Sequence, residues 1–230
     1  MSNVQWAGPL LDRLIAPEFS SVTSVSPPDV PELPNQHGSF FLNNVFITEF
    51  TDKARPLIFA MLRHLTQATR EYRTACGALA EFRNAKPQSN DAATLYLRAL
   101  AHFEHSVIHC DLSVSLSHAA ARCIEANTPE RHFEFGKGSA AERLRDLYNA
   151  LKHFDSTVVN GKLPDRATPV WIVSEGLRGM RGSKENEDPV VVTLRFEELA
   201  EILTELAGNA QFLAEDVFRL AHERRGANTT

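Results

Sequence analysis

Apolar side chains recur along much of the chain at helical spacing. Ile58, Leu62, Leu65, Thr69, Tyr72, Cys76 and Leu79 follow one another every three or four residues, which gathers them on one face of an α-helix. The pattern predicts a helix from Asp52, as N-cap, to about Asn84, with Pro56 in the first turn where a missing N–H is harmless. Asn90 as N-cap and Asp91 in the first turn open a second long helix, which Asn127-Thr128-Pro129 stops at about Ala126. The short connection between the two implies an antiparallel pair. A third helix is expected from Ser139 to His153. Ser139 and Glu142 have the spacing of a capping box, and Leu144, Leu147, Tyr148 and Leu151 form the buried face. The most regular seam is the last: Phe196, Leu199, Leu203, Leu206, Ala210, Leu213, Val217 and Leu220.

Two stretches break this period. Pro169–Ser174 and Pro189–Leu194 are rich in β-branched residues and read as strands, with the polar segment Glu175–Asp188 as the tip between them. Residues 155–168 read as irregular. Residues 17–39 contain five prolines and no apolar period, which suits an extended, polyproline-like arm outside the core. The expected fold is all-α: a bundle of about four main helices with a small β-hairpin insertion before the last. An N-terminal helix and Pro-rich arm occupy 1–51, and the bundle 52–230 carries the hairpin at about 169–194.

Composition narrows the function classes. With 230 residues, 43% apolar and 23% charged, the chain has the make-up of an ordinary globular protein. A formal net charge of −5 disfavours coating by nucleic acid through charge alone. No apolar run approaches a membrane span, and the first residues lack the basic start and apolar core of a secretion signal. Cys76, Cys110 and Cys123 are too few and scattered for a disulfide framework or zinc ribbon, which fits a reducing, cytoplasmic setting.

Most catalytic signatures are missing. There is no G-x-S-x-G nucleophile turn, and no Cys stands in a catalytic setting. Gly136-Lys137-Gly138-Ser139 opens a helix but lacks the first glycine and preceding strand of a phosphate loop. His102, His105 and His109 lie on the second helix, the last two one turn apart, yet no further ligands complete a set. Neither a metal nor another cofactor is expected.

The informative stretch runs from Arg143 to Asp155. Asn149 and His153 share a helix face near its C-terminus, where the dipole favours a cation, and Arg145 lies one turn before Tyr148 and Asn149. The pattern resembles the HEPN family of helical bundles, whose signature is an Arg, a polar residue that is often Asn, and a His a few residues on. The resemblance covers this helix and, more loosely, the bundle from about 52 to 224. It implies a bacterial defence or toxin–antitoxin type of protein that binds or cleaves RNA as a homodimer. Cleavage in that family is metal-independent and uses the ribose 2′-OH as nucleophile. Carried over, His153 is the general acid/base and Asn149 its polar neighbour. The family's Arg position is occupied by Tyr148, which supplies no permanent cation, and Arg145 is the substitute one turn away.

Charge distribution supports a polyanion or an acidic partner near this motif. Residues 131–184 carry ten Lys/Arg against six Asp/Glu, whereas 185–230 carry four against ten. Tyr148, Lys152, Arg178, Arg181 and Lys184 are the expected binding residues, the last three at the hairpin tip. The competing reading is a non-catalytic module that docks partner proteins.

Overall fold

The structure, a computed structural model, describes residues 22, 24–33, 36, 38–40, 52–85, 90–123, 136, 138–159, 168–181 and 190–216. Within these, helices α1 (Ala54–Asn84) and α2 (Asn90–Cys123) precede the shorter α3 (Ala140–Lys152) and α4 (Phe154–Val159). Strands β1 (Val170–Val173), β2 (Gly176–Arg181) and β3 (Val190–Arg195) follow, then α5 (Phe196–Gln211), which ends in a π-helical turn at Phe212–Asp216.

The α1 seam behaves as its spacing requires. Ile58, Leu62, Leu65, Thr69, Tyr72 and Leu79 are buried, with Cys76 half-buried. The helix is not capped by Asp52, however: Lys53 is the N-cap, with no side-chain cap bond. Two buried hydroxyls let α2 approach α1 closely, because each donates to a carbonyl of the facing helix. Ser106 Oγ lies 3.0 Å from the Ala68 oxygen and Ser113 Oγ 3.2 Å from that of Met61. Those contacts run in opposite directions along the two helices and so establish the antiparallel pairing. Aromatic edges extend the core from there, with Phe103 meeting Tyr72 at 5.8 Å and Phe196 at 5.1 Å between ring centroids.

Among the described residues the fold is mostly helical, as expected, and its β element corrects the hairpin expectation. Three antiparallel strands in the order β1-β2-β3 form the sheet, and its middle strand is made from Gly176–Arg181, which the polarity of the segment assigns to a loop. Burial accounts for the difference: all of Val170–Val173 and Leu177 are in the core, so the sheet is part of the interior rather than an outward decoration. Glycine permits this closeness. A Cβ on Gly176 would lie 2.1 Å from the Leu194 carbonyl oxygen, and one on Gly179 would lie 2.6 Å from Leu147 Cδ2 of α3. The Tyr96 hydroxyl of α2 accepts a bond of 3.1 Å from the Ile172 N–H, fixing β1 to the long helices.

Two further segments depart from the sequence reading. Residues 25–33 form no helix or strand, in keeping with their prolines, but they lie on α1: Val25 and Val30 are in the core, and the Tyr72 hydroxyl donates to the Pro28 oxygen at 2.8 Å. Residues 155–159, expected to be irregular, belong to α4. The start of α5 is held by Glu198, which accepts from the Arg195 backbone N–H at 3.1 Å and reaches Arg143 of α3 at 2.5 Å. Burial pushes this carboxyl up, but hydrogen bonds from Arg195 and Arg143 outweigh that and hold it below the usual range. Among the described residues no helix is long and apolar enough to cross a membrane. Val217 and Leu220 of the last seam lie outside the described residues.

Candidate functional site at the end of the third helix

Helix α3 starts as the capping box requires. Ser139 Oγ accepts from the Glu142 N–H at 3.1 Å, and Gly138 before it takes φ +83°, a conformation glycine adopts at little cost. The Glu142 carboxylate accepts from the Gly138 N–H, so an acid already occupies the helix start where a phosphate loop would hold an anion. Leu144 and Leu147 turn into the core, while Tyr148 and Leu151 are half-buried against it.

The opposite flank of α3 carries the motif. Arg145 Nε donates to Asp111 Oδ1 at 2.6 Å, and its Nη2 donates to Ser115 Oγ at 2.5 Å. Asp111 lies on α2 with only 2% of its side chain exposed, against 38% for Arg145. Burial pushes the Asp111 carboxyl up; the Arg145 bond and the charges of Arg145 and Lys152 draw it back without cancelling the rise. Lys152, two turns beyond Arg145, therefore feels the same carboxylate. Its Nζ lies 5.8 Å from the centre of the Tyr148 ring, within cation–π range.

Asn149 and His153 sit further along the same helix. The half-buried Asn149 gives its carbonyl to the His153 N–H at 3.0 Å, and His153 is the exposed C-cap. The His153 carbonyl accepts from Ser156 Oγ at 2.9 Å, which joins α3 to α4. Eight residues separate Arg145 from His153, roughly 12 Å along a helix axis. The guanidinium expected to converge with the imidazole is instead directed to Asp111 and Ser115.

The hairpin cations have different surroundings from those expected. Arg178 and Arg181 belong to the central strand β2, not to a loop tip. Arg178 donates to Thr193 Oγ1 at 3.1 Å, its cross-strand neighbour, and to Glu175 Oε1 at 3.3 Å. Lys184 lies outside the described residues. Of the expected binding residues, the structure brings Tyr148 and Lys152 together beside Arg145 and ties Arg178 to its own sheet.

Three acceptors escaped the sequence reading. Asp111 and Ser115 complete the Arg145 cluster. Glu104, two turns before Asp111 on the same stripe of α2, is pushed up to about 7 by burial. A signal for Asp111 was present: it interrupts an α2 segment whose Val107, Cys110 and Val114 are all buried, and a carboxylate there requires a cation.

Among the described residues no three His, Cys, Asp or Glu side chains are arranged to hold a metal. Comparisons with protein-family models, with curated proteins and with solved structures find no match for this chain.

Proposed function

We propose that this is a HEPN-like helical-bundle protein of defence or toxin–antitoxin type, dimeric and cytoplasmic, which binds RNA at the end of α3 but cleaves it poorly. The observation that carries the reading is the 2.6 Å contact of Arg145 with Asp111. A guanidinium held by a buried carboxylate contributes less positive potential to a developing phosphate charge than one facing only solvent. Tyr148 stands where the resemblance places the family's Arg, and its ring beside Lys152 gives a surface for base stacking next to a cation. His153, exposed at the helix end, is the proton-transfer group in this reading, with Tyr148 at the position of the family's Arg.

Tyr148→Arg tests the reading, with a mixed RNA pool and chelator present. The substitution restores the cation, and chelator-resistant cleavage should rise by ~10²-fold or more, within the range that electrostatic stabilisation supplies. The rise should disappear again in Tyr148→Arg with His153→Ala. No gain in cleavage, with RNA binding intact, removes the assigned active site.

A second reading, a protein-docking module, has its own support. Val190 and Val191 on β3 are each 54% exposed, at an edge of the described sheet. RNA affinity undetectable at low salt favours this module.

A further inference from the structure

Beside the buried seam of the two long helices runs a half-buried polar row. On α1 the row is His64, Gln67 and Glu71; on α2 it is His109, His105 and His102, in matching antiparallel order with the same three- and four-residue steps. His64 Nδ1 and His109 Nδ1 are 2.9 Å apart, with the rings stacked at 5.2 Å between centroids. Further along, Glu71 Oε2 lies 2.6 Å from His102 Nδ1 and 4.0 Å from His105 Nδ1, while Gln67 Nε2 donates to Glu71 Oε1 at 2.5 Å.

Two ring nitrogens at this separation make a hydrogen bond only if one carries a proton and the other does not. With both imidazoles charged, the contact becomes two N–H donors pointed at each other. We infer that His64 and His109 are a proton-sharing latch between α1 and α2, closed while one imidazole is neutral and opened when both are protonated.

The surroundings bias the latch toward its closed form. Burial lowers the pKa of both rings; for His64 the charges of His109 and Arg63 add to this, and for His109 those of His105 and Arg63. Glu71 acts the other way on His109, but its carboxylate is already engaged by His102 and Gln67. The charged groups that act on the pair are thus Arg63 and Glu71 from α1 and His105 from α2.

The sign follows from linkage. A histidine whose folded pKa lies below the unfolded value near 6.5 binds fewer protons in the fold, so its contribution is present at higher pH and is lost as pH falls through that value. The latch therefore weakens on mild acidification, and the helix pair with it.

NMR titration of the histidine rings in the full-length protein tests this, in wild type, His64→Gln and His109→Gln. In wild type the two rings should titrate as a coupled pair, in two steps, beginning below the ordinary histidine value. Each single variant should raise the remaining ring's midpoint by roughly half a unit, since one repulsive charge is removed while burial persists. Independent titration of both rings at the ordinary value in wild type overturns the latch. A folded variant whose remaining midpoint does not move does the same. The wild-type titration alone decides the matter if both variants fail to fold.

Discussion

Arg145 of α3 and Asp111 of α2 form a charge pair whose acid is buried and whose base is partly in water, with Nε and Oδ1 2.6 Å apart. The pair fastens the helix bearing the motif to the long helix behind it. It also commits the guanidinium that a phosphate-binding site would need.

Removing Arg145 should cost stability, because it strands a buried carboxylate. Arg145→Ala is expected to lose about 2–4 kcal/mol in urea unfolding, at or below the lower part of the roughly 3–5 kcal/mol for broken buried pairs, since this Arg is partly solvated. Replacing both residues, Arg145→Met with Asp111→Leu, should recover most of that loss. A single variant as stable as wild type contradicts the pairing.

Glu104 gives a pH dependence of known sign. Burial pushes it up to about 7, above the ordinary glutamate value of 4.5, so the fold binds its proton more tightly and loses stability as pH rises through that interval. Glu104→Gln removes the titration. Relative to wild type the variant should gain roughly 1–3 kcal/mol between pH 5 and pH 8. Equal pH profiles for the two proteins count against a buried, raised carboxyl.

Much of the helical part was legible in residue spacing, since an apolar stripe every three or four residues needs only a neighbour to bury it. The α1 seam, the Ser139 cap and the start of α5 at Phe196 all follow from that local logic. The central strand was not legible. Gly176-Leu-Arg-Gly-Met-Arg181 has one strongly β-forming neighbour on each side but weak propensity itself, and it is a strand because β1 and β3 pair with it. The candidate site divides the same way. Which residues lie on α3 was readable; that Arg145 would meet Asp111, 34 positions earlier, was a matter of tertiary packing.

The glycines of β2 should differ in cost. Gly176→Ala places a methyl against the Leu194 backbone oxygen, which has nowhere to move, whereas at Gly179 the nearest atom is the tip of the Leu147 side chain. Gly176→Ala is therefore expected to prevent folding or shift the strand pairing. Gly179→Ala should cost about 1–3 kcal/mol, as overpacking does. Thermal melts of the two variants give the order; the reverse order contradicts the sheet register.

The dimer can be tested separately from the chemistry. In the described part of the last seam, Phe196, Leu199, Leu203, Leu206 and Ala210 are buried within one chain, so that stripe leaves no apolar face for a second copy. The proposed dimer therefore uses another surface. Light scattering at micromolar concentration should give twice the mass of 25.6 kDa, and a monomer removes the dimer from the proposed function.

The most direct measurement is the salt dependence of RNA affinity for wild type and Lys152→Ala. Wild type should bind a single-stranded RNA pool at low salt and weaken steadily as salt rises. Lys152→Ala should bind less tightly, with a log–log slope shallower by ~0.7, the share of one phosphate contact on a single strand. Affinity and slope unchanged by the substitution, or no binding at any salt, would contradict RNA recognition at the end of α3.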